Sequence, residues 1–504
     1  MASEAFAIKR CGLLTVCVKA VDGCPELAAV LATLPEAMPV MWLDSARIHE
    51  ATGRYSLLGY DPWLSVIARE DRIEQACGAS RRVVRANPLE ALRSVLRRYA
   101  VPSGALGAAG RGVGLLGWVS YELNRWIEPR LQRAAAPSSG TEPSLPVMAW
   151  FGMRVVIVVD HLARRSWVVS VADPSQPSAQ AQRDARQALE EALERLAGCG
   201  TSPPIAPIPD PPLPTQPWRR TAPLAPTISQ AAFEAMVERA LEHVRAGEIF
   251  QANVSQRFTG PWEGSARALY LALRRVNPSP FSVFCSVADV AVVGCSPERL
   301  VKVEEGRVTA RPIAGTRPRG SRPEEDACNS LELLLSEKER AEHLMLVDLA
   351  RNDLGRVCDV GTVRVAELMG LETYSHVIHL VSEISGRLRR EVDAVDVIRA
   401  VFPGGTITGC PKVRCMELLQ ALEPAPRGLY TGSLGYLAFD GTMDLNIAIR
   451  TLVLRGEQMS LHVGAGIVAD SDPAREYQET LDKAAALFQA LTAASSTSTY
   501  AEPR

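Results

Sequence analysis

Gln251 stands in the run Gly247-Glu248-Ile249-Phe250-Gln251-Ala252-Asn253-Val254-Ser255-Gln256-Arg257-Phe258, whose alternation reads as a strand. Phe250, Ala252, Val254 and Phe258 face one way; Gln251, Asn253, Ser255 and Arg257 face the other, and Gln256 breaks the pattern. A strand with one face of amides, hydroxyl and guanidinium either lines something polar or meets water. Glu298 follows the apolar stretch Val290 to Val293 in Gly294-Cys295-Ser296-Pro297-Glu298-Arg299-Leu300, where a carboxylate can reach a cleft or simply bond a neighbouring arginine. Glu476 and Glu479 are three apart in Pro473-Ala474-Arg475-Glu476-Tyr477-Gln478-Glu479, which puts both on one face of the last helix. Glu342 lies on another helix, starting near Glu337. Acidic residues favour a first helical turn through the helix dipole. Carboxylates from two helices are also what Mg²⁺ requires, with water and substrate oxygens filling the octahedron. Arg450, in Asn446-Ile447-Ala448-Ile449-Arg450-Thr451-Leu452, stands amid a buried-looking strand and needs an anion, since an unpaired guanidinium there is costly.

These residues need elements to hold them. Phe233, Met236, Val237, Ala240, Leu241 and Val244 fall on one helical stripe ending at Gly247, and Gln182 to Leu196 is an Ala/Arg/Glu/Leu helix. Between them, Gly198 to Pro226 is loaded with proline and holds neither helix nor central strand. The chain therefore divides into an N-terminal region 1–197, packed on the core, a linker 198–227, a domain 228–495 and a disordered tail 496–504. A second low-complexity stretch, Ala134 to Pro143, reads as a surface loop. Strand-like runs recur without a βαβ rhythm. An α+β fold is expected, with large mixed or antiparallel sheets packed as a sandwich and helices outside.

Of the 504 residues, 55 Lys and Arg offset 57 Asp and Glu, so no basic field points to nucleic acid. The longest apolar runs, such as Val155-Val156-Ile157-Val158-Val159, are strand-sized, which argues against membrane spans. Eleven cysteines include no C-x-x-C pair, and reduced thiols in a cytoplasmic protein are expected.

In order and spacing, Gln251, Glu298, Glu342, His379, Arg450 and Glu479 resemble the chorismate-utilising enzymes, over about Ile228 to Leu491. Thinner matches lie at Leu43-Asp44-Ser45, Gly53-Arg54-Tyr55-Ser56 and Gly114-Leu115-Leu116-Gly117. The resemblance implies that Glu298 sits beside the ring hydroxyl as a general acid and that His379 is the active-site histidine, with His376 structural. It implies Mg²⁺ held by Glu342 and Glu479 with Glu476 nearby, and a substrate carboxylate on Arg450. The pair Gly464 and Gly466, alone an ordinary turn, would hold the enolpyruvyl carboxylate through backbone amides. Thr406 and Tyr430 match further substrate contacts, and Lys412, in the turn Gly409-Cys410-Pro411-Lys412 on the same side, is expected as a catalytic residue, either attacking the ring or positioning substrate. Family members that add water carry lysine at the position of Gln251, and those that add ammonia carry glutamine. A lysine of lowered pKa can deprotonate water, whereas ammonia needs only placement.

Within the family, Gln251-Ala252-Asn253, Pro280-Phe281-Ser282, Pro297-Glu298-Arg299, Gly405 to Cys410 and Gly432 to Tyr436 resemble the aminodeoxychorismate branch. That implies amination of chorismate to 4-amino-4-deoxychorismate for 4-aminobenzoate and folate. Two segments lean to the anthranilate branch: Ala314 in Pro312-Ile313-Ala314-Gly315-Thr316, where the other branch carries a lysine, and Glu342-His343. The expectation follows the larger number of segments, with anthranilate formation as the alternative and an inactive regulatory subunit as a third reading. No Gly-x-Cys-x-Gly nucleophile turn with a downstream His-x-Glu is present, so ammonia is expected from a separate glutamine amidotransferase subunit.

Overall fold

The computed structural model describes residues 6–131, 145–176, 178–199, 224–320, 322–373 and 377–498. Most of the proline-rich stretch, the Ala134 to Pro143 segment, His376 and residues 499–504 of the tail lie outside the described residues; the last helix, Pro473–Ser498, runs into the tail's first positions.

Two long strands frame the molecule. Tyr55–Arg69 and Met148–Asp160 pair antiparallel along most of their length, with the register shifting between Pro62 and Leu64. Asp61 sits at φ 56° just before the shift, a bulge that turns the ladder. Beyond it the two halves of this pair take different neighbours, so that one continuous ladder forms two sheets sharing that pair. In the first sheet the order runs Ala7–Cys11, Leu14–Asp22, Arg165–Val171, then the framing pair, Val40–Asp44, Phe281–Val287, Val290–Ser296, Thr451–Arg455, Gln458–Ile467 and Gln251–Pro261. In the second it runs Ser80–Arg85, Arg72–Cys77, the framing pair, Gly114–Val119, Ser433–Ala438, Met443–Asn446, Arg299–Glu304, Arg307–Ala310 and Val377–Arg387. Ile313–Pro318 and Arg364–Thr373 flank that last strand. Every one of these pairings is antiparallel, and N-terminal strands pair directly with C-terminal ones in both sheets.

The period of two explains why so many strands read as unbroken apolar runs. Val156 and Val158 enter the core between the sheets, while Val155, Ile157 and Val159 enter a second core under the outer helices. Val283 and Phe284, and Val292 and Val293, divide the same way. A strand buried on both faces has no polar side to show. The covering helices are those expected. Ser178–Gly198 contributes Ala185 and Leu189 to the second core, and Pro473–Ser498 contributes Leu481, Leu487 and Phe488. Gln230–Arg245 is started by Ser229, whose side chain accepts from the Ala232 amide, and buries the Phe233 to Leu241 stripe. The fold is thus α+β, antiparallel sheets with helices outside.

Two local expectations change. The strand read around Arg450 is two strands. Met443–Asn446 belongs to the second sheet and Thr451–Arg455 to the first, so Arg450, at φ 50°, lies where the chain crosses between them. Phe250 precedes the strand Gln251–Pro261 and is 68% exposed, off the apolar face. Gln256, the break in the alternation, is buried and donates to Thr480 Oγ1 at 2.6 Å on the last helix.

Candidate active site

Glu298 lies at the neighbouring crossover, between Val290–Ser296 of the first sheet and Arg299–Glu304 of the second. The two crossovers touch, with the Ile447 amide donating to the Glu298 carbonyl at 3.0 Å. The Glu298 side chain is buried and accepts from Thr406 Oγ1 at 2.9 Å, on the short 3₁₀ turn Gly405–Ile407, and from the Ile313 amide. Arg299 does not neutralise it, being committed to Asp444 at 2.8 and 2.9 Å and to the Ala51 carbonyl. Burial pushes the Glu298 carboxyl up to about 7, against the opposing pull of Thr406, the Ile313 amide, Arg450 and Lys483. A carboxylic acid still protonated near neutrality is poised to give a proton away. The Arg450 guanidinium, whose charge acts on Glu298, makes no side-chain hydrogen bond or ion pair with any described residue. His379, on Val377–Arg387, is buried and hydrogen-bonded to the Gly315 backbone; burial and then the Arg450 charge hold its imidazole down to about 4, hence neutral at pH 7.

The strand Gln251–Pro261 forms another wall, in register with Gln458–Ile467 so that Asn253 opposes Gly466 and Ser255 opposes Gly464. Asn253 Nδ2 donates to Tyr430 Oη at 3.2 Å, and Tyr430 stacks on His462 with centroids 5.5 Å apart. Gln251 is buried, and its Oε1 has no partner among the described residues, an acceptor left open at a cost of about 1–3 kcal/mol. Both glycines are needed for this packing. A Cβ at Gly464 would lie 2.6 Å from Tyr430 Oη and 2.8 Å from the Val254 carbonyl; one at Gly466 would lie 2.6 Å from Gln251 Nε2. The two should therefore behave differently on substitution. Gly464→Ala, pressed against backbone, should lose roughly 1–3 kcal/mol of stability by denaturant melting. Gly466→Ala should melt near wild type, because a side-chain amide can swing away, yet lose turnover as Gln251 is displaced. Equal melting and equal activity of the two would remove Gln251 from the site.

The carboxylates come next. Glu342, Glu476 and Glu479 act on one another: burial raises the Glu342 and Glu476 carboxyls, and the neighbouring negative charges add to it. Glu476 Oε1 accepts from Ser471 Oγ at 2.6 Å, while its Oε2 and Glu342 Oε1 are buried without partners among the described residues. Orphaned carboxylate oxygens on two helices fit a cation. Among the described residues no three acidic, histidine or cysteine side chains form a ready-made cage, and Mg²⁺ needs none, taking one or two carboxylates and keeping several waters. Lys483, passed over in the sequence, belongs here: its Nζ lies 2.7 Å from Glu479 Oε1 and donates to the Gly464 carbonyl at 3.0 Å. It also acts electrostatically on Glu298 and Glu476. The signal was available, since Lys483 follows Glu479 by one helical turn.

Lys412 makes contacts of another kind. It opens the helix Lys412–Leu422 rather than closing a turn, and its Nζ is bound to Asp353 Oδ2 at 2.6 Å and the Val401 carbonyl at 3.0 Å. The amine ties two helices together and is not free to attack a ring.

A second cavity, of about 700 Å³ including its mouth, is built by both halves of the chain from residues such as Ser45, Arg54, Phe281, Lys302, Tyr436 and Asp444. It contains none of the expected site residues. It does contain members of three segments that favoured the aminodeoxychorismate branch: Pro280 to Ser282, Arg299, and Leu434 to Tyr436. Ala314, by contrast, directly follows Ile313, whose amide holds Glu298, and pairs with Leu380 beside His379.

A family model described as chorismate binding enzyme matches residues 41–489. The chain is 40% identical to anthranilate synthase component 1 of Pseudomonas aeruginosa, over 92% of this chain and 93% of that protein. It is also 40% identical to the protein of the same name from Streptomyces coelicolor, over 89% and 83%. The crystal structure of anthranilate synthase component I from Streptococcus pneumoniae superposes with a TM-score of 0.72 at 35% identity, covering 88% of this chain and 94% of that one. These relatives overturn the aminodeoxychorismate expectation. It counted matching segments equally, whereas Pro280 to Ser282 and Gly432 to Tyr436 contribute to the other cavity, and Ala314 lies next to the amide that holds Glu298. No helix among the described residues is long and apolar enough to cross a membrane. With the family model spanning most of its length and its relatives matching nearly end to end, this chain belongs to the chorismate binding enzymes.

Proposed function

We propose that the chain is the ammonia-using component of an anthranilate synthase, converting chorismate and ammonia to anthranilate, pyruvate and water. The observation that carries this reading is Ala314 beside the Glu298 site, in a chain about 40% identical over most of its length to proteins named anthranilate synthase component 1. With no amine at residue 314 and Lys412 engaged elsewhere, ammonia itself is the nucleophile. The open Oε1 of Gln251 can accept one of its hydrogens and place it without deprotonating it. As nitrogen bonds to the ring carbon next to the carboxylate-bearing one, Glu298 protonates the departing hydroxyl, which leaves as water. His379, neutral at pH 7, then takes the proton from the aminated carbon. The enolpyruvyl ether bond breaks, the enolate that leaves takes that proton to become pyruvate, the ring becomes aromatic, and the ammonium formed by the attack returns its extra proton to Glu298. Arg450 holds a substrate carboxylate by charge-assisted hydrogen bonds. Glu342, Glu476 and Glu479 are the residues that would hold Mg²⁺, which would neutralise the ring carboxylate.

The test is one incubation with chorismate, MgCl₂ and ammonium chloride, followed by chromatography with fluorescence detection. Anthranilate should form with no added lyase, and thorough EDTA treatment should abolish turnover until Mg²⁺ is restored. Glutamine should replace ammonium only when an amidotransferase subunit is added. A 4-amino product would overturn the reading, and undiminished activity after chelation would remove the metal assignment.

A further inference from the structure

We infer that Arg427, held by Glu423, is a positioning residue for the reaction: it fastens the strand bearing Gln251 and Asn253, the turn bearing Thr406 and the loop bearing Tyr430 into one rigid wall. Its side chain is 1% exposed and that of Glu423 is 7% exposed. A guanidinium has five N–H donors in a fixed plane. Here all five are used. Nε donates to Glu423 Oε2 at 2.7 Å, and Nη2 to Glu423 Oε1 at 2.7 Å and to the Asn253 carbonyl at 2.5 Å. Nη1 donates to the Ile407 carbonyl at 2.9 Å and to Thr431 Oγ1 at 3.3 Å. Glu423 Oε1 in turn accepts from both the amide and the hydroxyl of Ser255, at 2.9 and 2.8 Å. The Arg427 plane also lies over the rings of Tyr430 and Tyr121, 5.6 and 4.8 Å from their centroids.

Arg427 hydrogen-bonds no group assigned to the chemistry, yet each of its anchors is a short step from one. Asn253 bonds Tyr430, Ile407 follows Thr406, which bonds Glu298, and Thr431 follows Tyr430. Asn253 and Ile407, 174 and 20 residues from Arg427 in sequence, each present a backbone carbonyl that a buried wall must satisfy. Stability is a weak reason for such a pair, because apolar residues of similar volume often replace a buried ion pair at little or no loss. Geometry is the stronger reason. Only arginine offers several directed donors at once; a lysine ammonium offers three and no plane.

The inference rests on the assignment of Glu298 and Tyr430 to the site, and its test reads chorismate consumption as well as product, so that a wrong product leaves it standing. Two variants are made in the full chain. Arg427→Lys keeps the charge but drops two donors; Arg427→Met with Glu423→Met removes both charges and leaves neither unpaired. Both should melt cooperatively, with kcat reduced roughly 10- to 100-fold, the scale of loss expected when catalytic groups are displaced by about 1 Å. The pH profile should change as well. With the Thr406 turn loosened, Glu298 loses a hydrogen bond to its charged form, and the fall in activity should move to higher pH. A folded variant with wild-type kcat and an unmoved profile would overturn the proposal. So would failure of both variants to fold, which would make the pair a folding element instead.

Discussion

Replacing Glu298 by glutamine should cut turnover of chorismate by about 10²–10⁴-fold, the usual contribution of a positioned general acid. It should also change how both activity and stability depend on pH. The wild-type carboxyl stands at about 7 in the folded protein against its ordinary 4.5. A carboxyl raised on folding binds its proton more tightly in the native state. Its contribution to stability is therefore complete below about pH 4.5 and is lost as pH rises through about 7. Above that, ionising a buried group costs on the order of 3 kcal/mol. Glutamine carries no such cost, so Glu298→Gln should be more stable than wild type at pH 8 and should lose that advantage near pH 4. Wild-type turnover should fall as pH rises through about 7, because the acid form is the working form, while the residual activity of the variant should show no such limb. Near-wild-type turnover in Glu298→Gln would end the general-acid assignment.

The second large effect is expected at Arg450. Its guanidinium is unpaired among the described residues and stands in the field of Glu298 and His379. Arg450→Met should cost about 2–5 kcal/mol in kcat/KM, since it leaves a buried anionic group of the substrate without its partner. Most of that loss should appear as a raised KM for chorismate, because a carboxylate is held in the ground state as well as in the transition state. A second signature separates binding from folding. Arg450 lowers both the Glu298 carboxyl and the His379 imidazole, so its removal lets both rise, and the high-pH limb of the rate profile should move upward. An unchanged KM, together with an unmoved limb, would show that the arginine meets no substrate anion.

Local sequence was informative wherever local physics decides. The strand around Val155–Val159 was legible from its apolar run, the helix Gln230–Arg245 from its apolar stripe, and the helix Glu337–Gly355 by its start near Glu337. Gln251, Glu298 and the acidic pair Glu476 and Glu479 stood out because residue type and spacing already restrict what a side chain can reach. Three matters waited for the tertiary structure. Arg450 read as a strand residue because Ile447, Ala448 and Ile449 are apolar, and nothing local records that the chain there leaves one sheet for another. Lys412 read as available because its partners Asp353 and Val401 are remote in sequence. The branch of the family was misread because matching segments were counted alike. Phe281 and Tyr436 line a different cavity, whereas Ala314 lies next to the amide that holds Glu298. Sequence order alone determined which kinds of groups this protein possesses. Which of them share one low-dielectric space, where charge and hydrogen bonding act over a few ångströms, was decided by the packing of the two sheets.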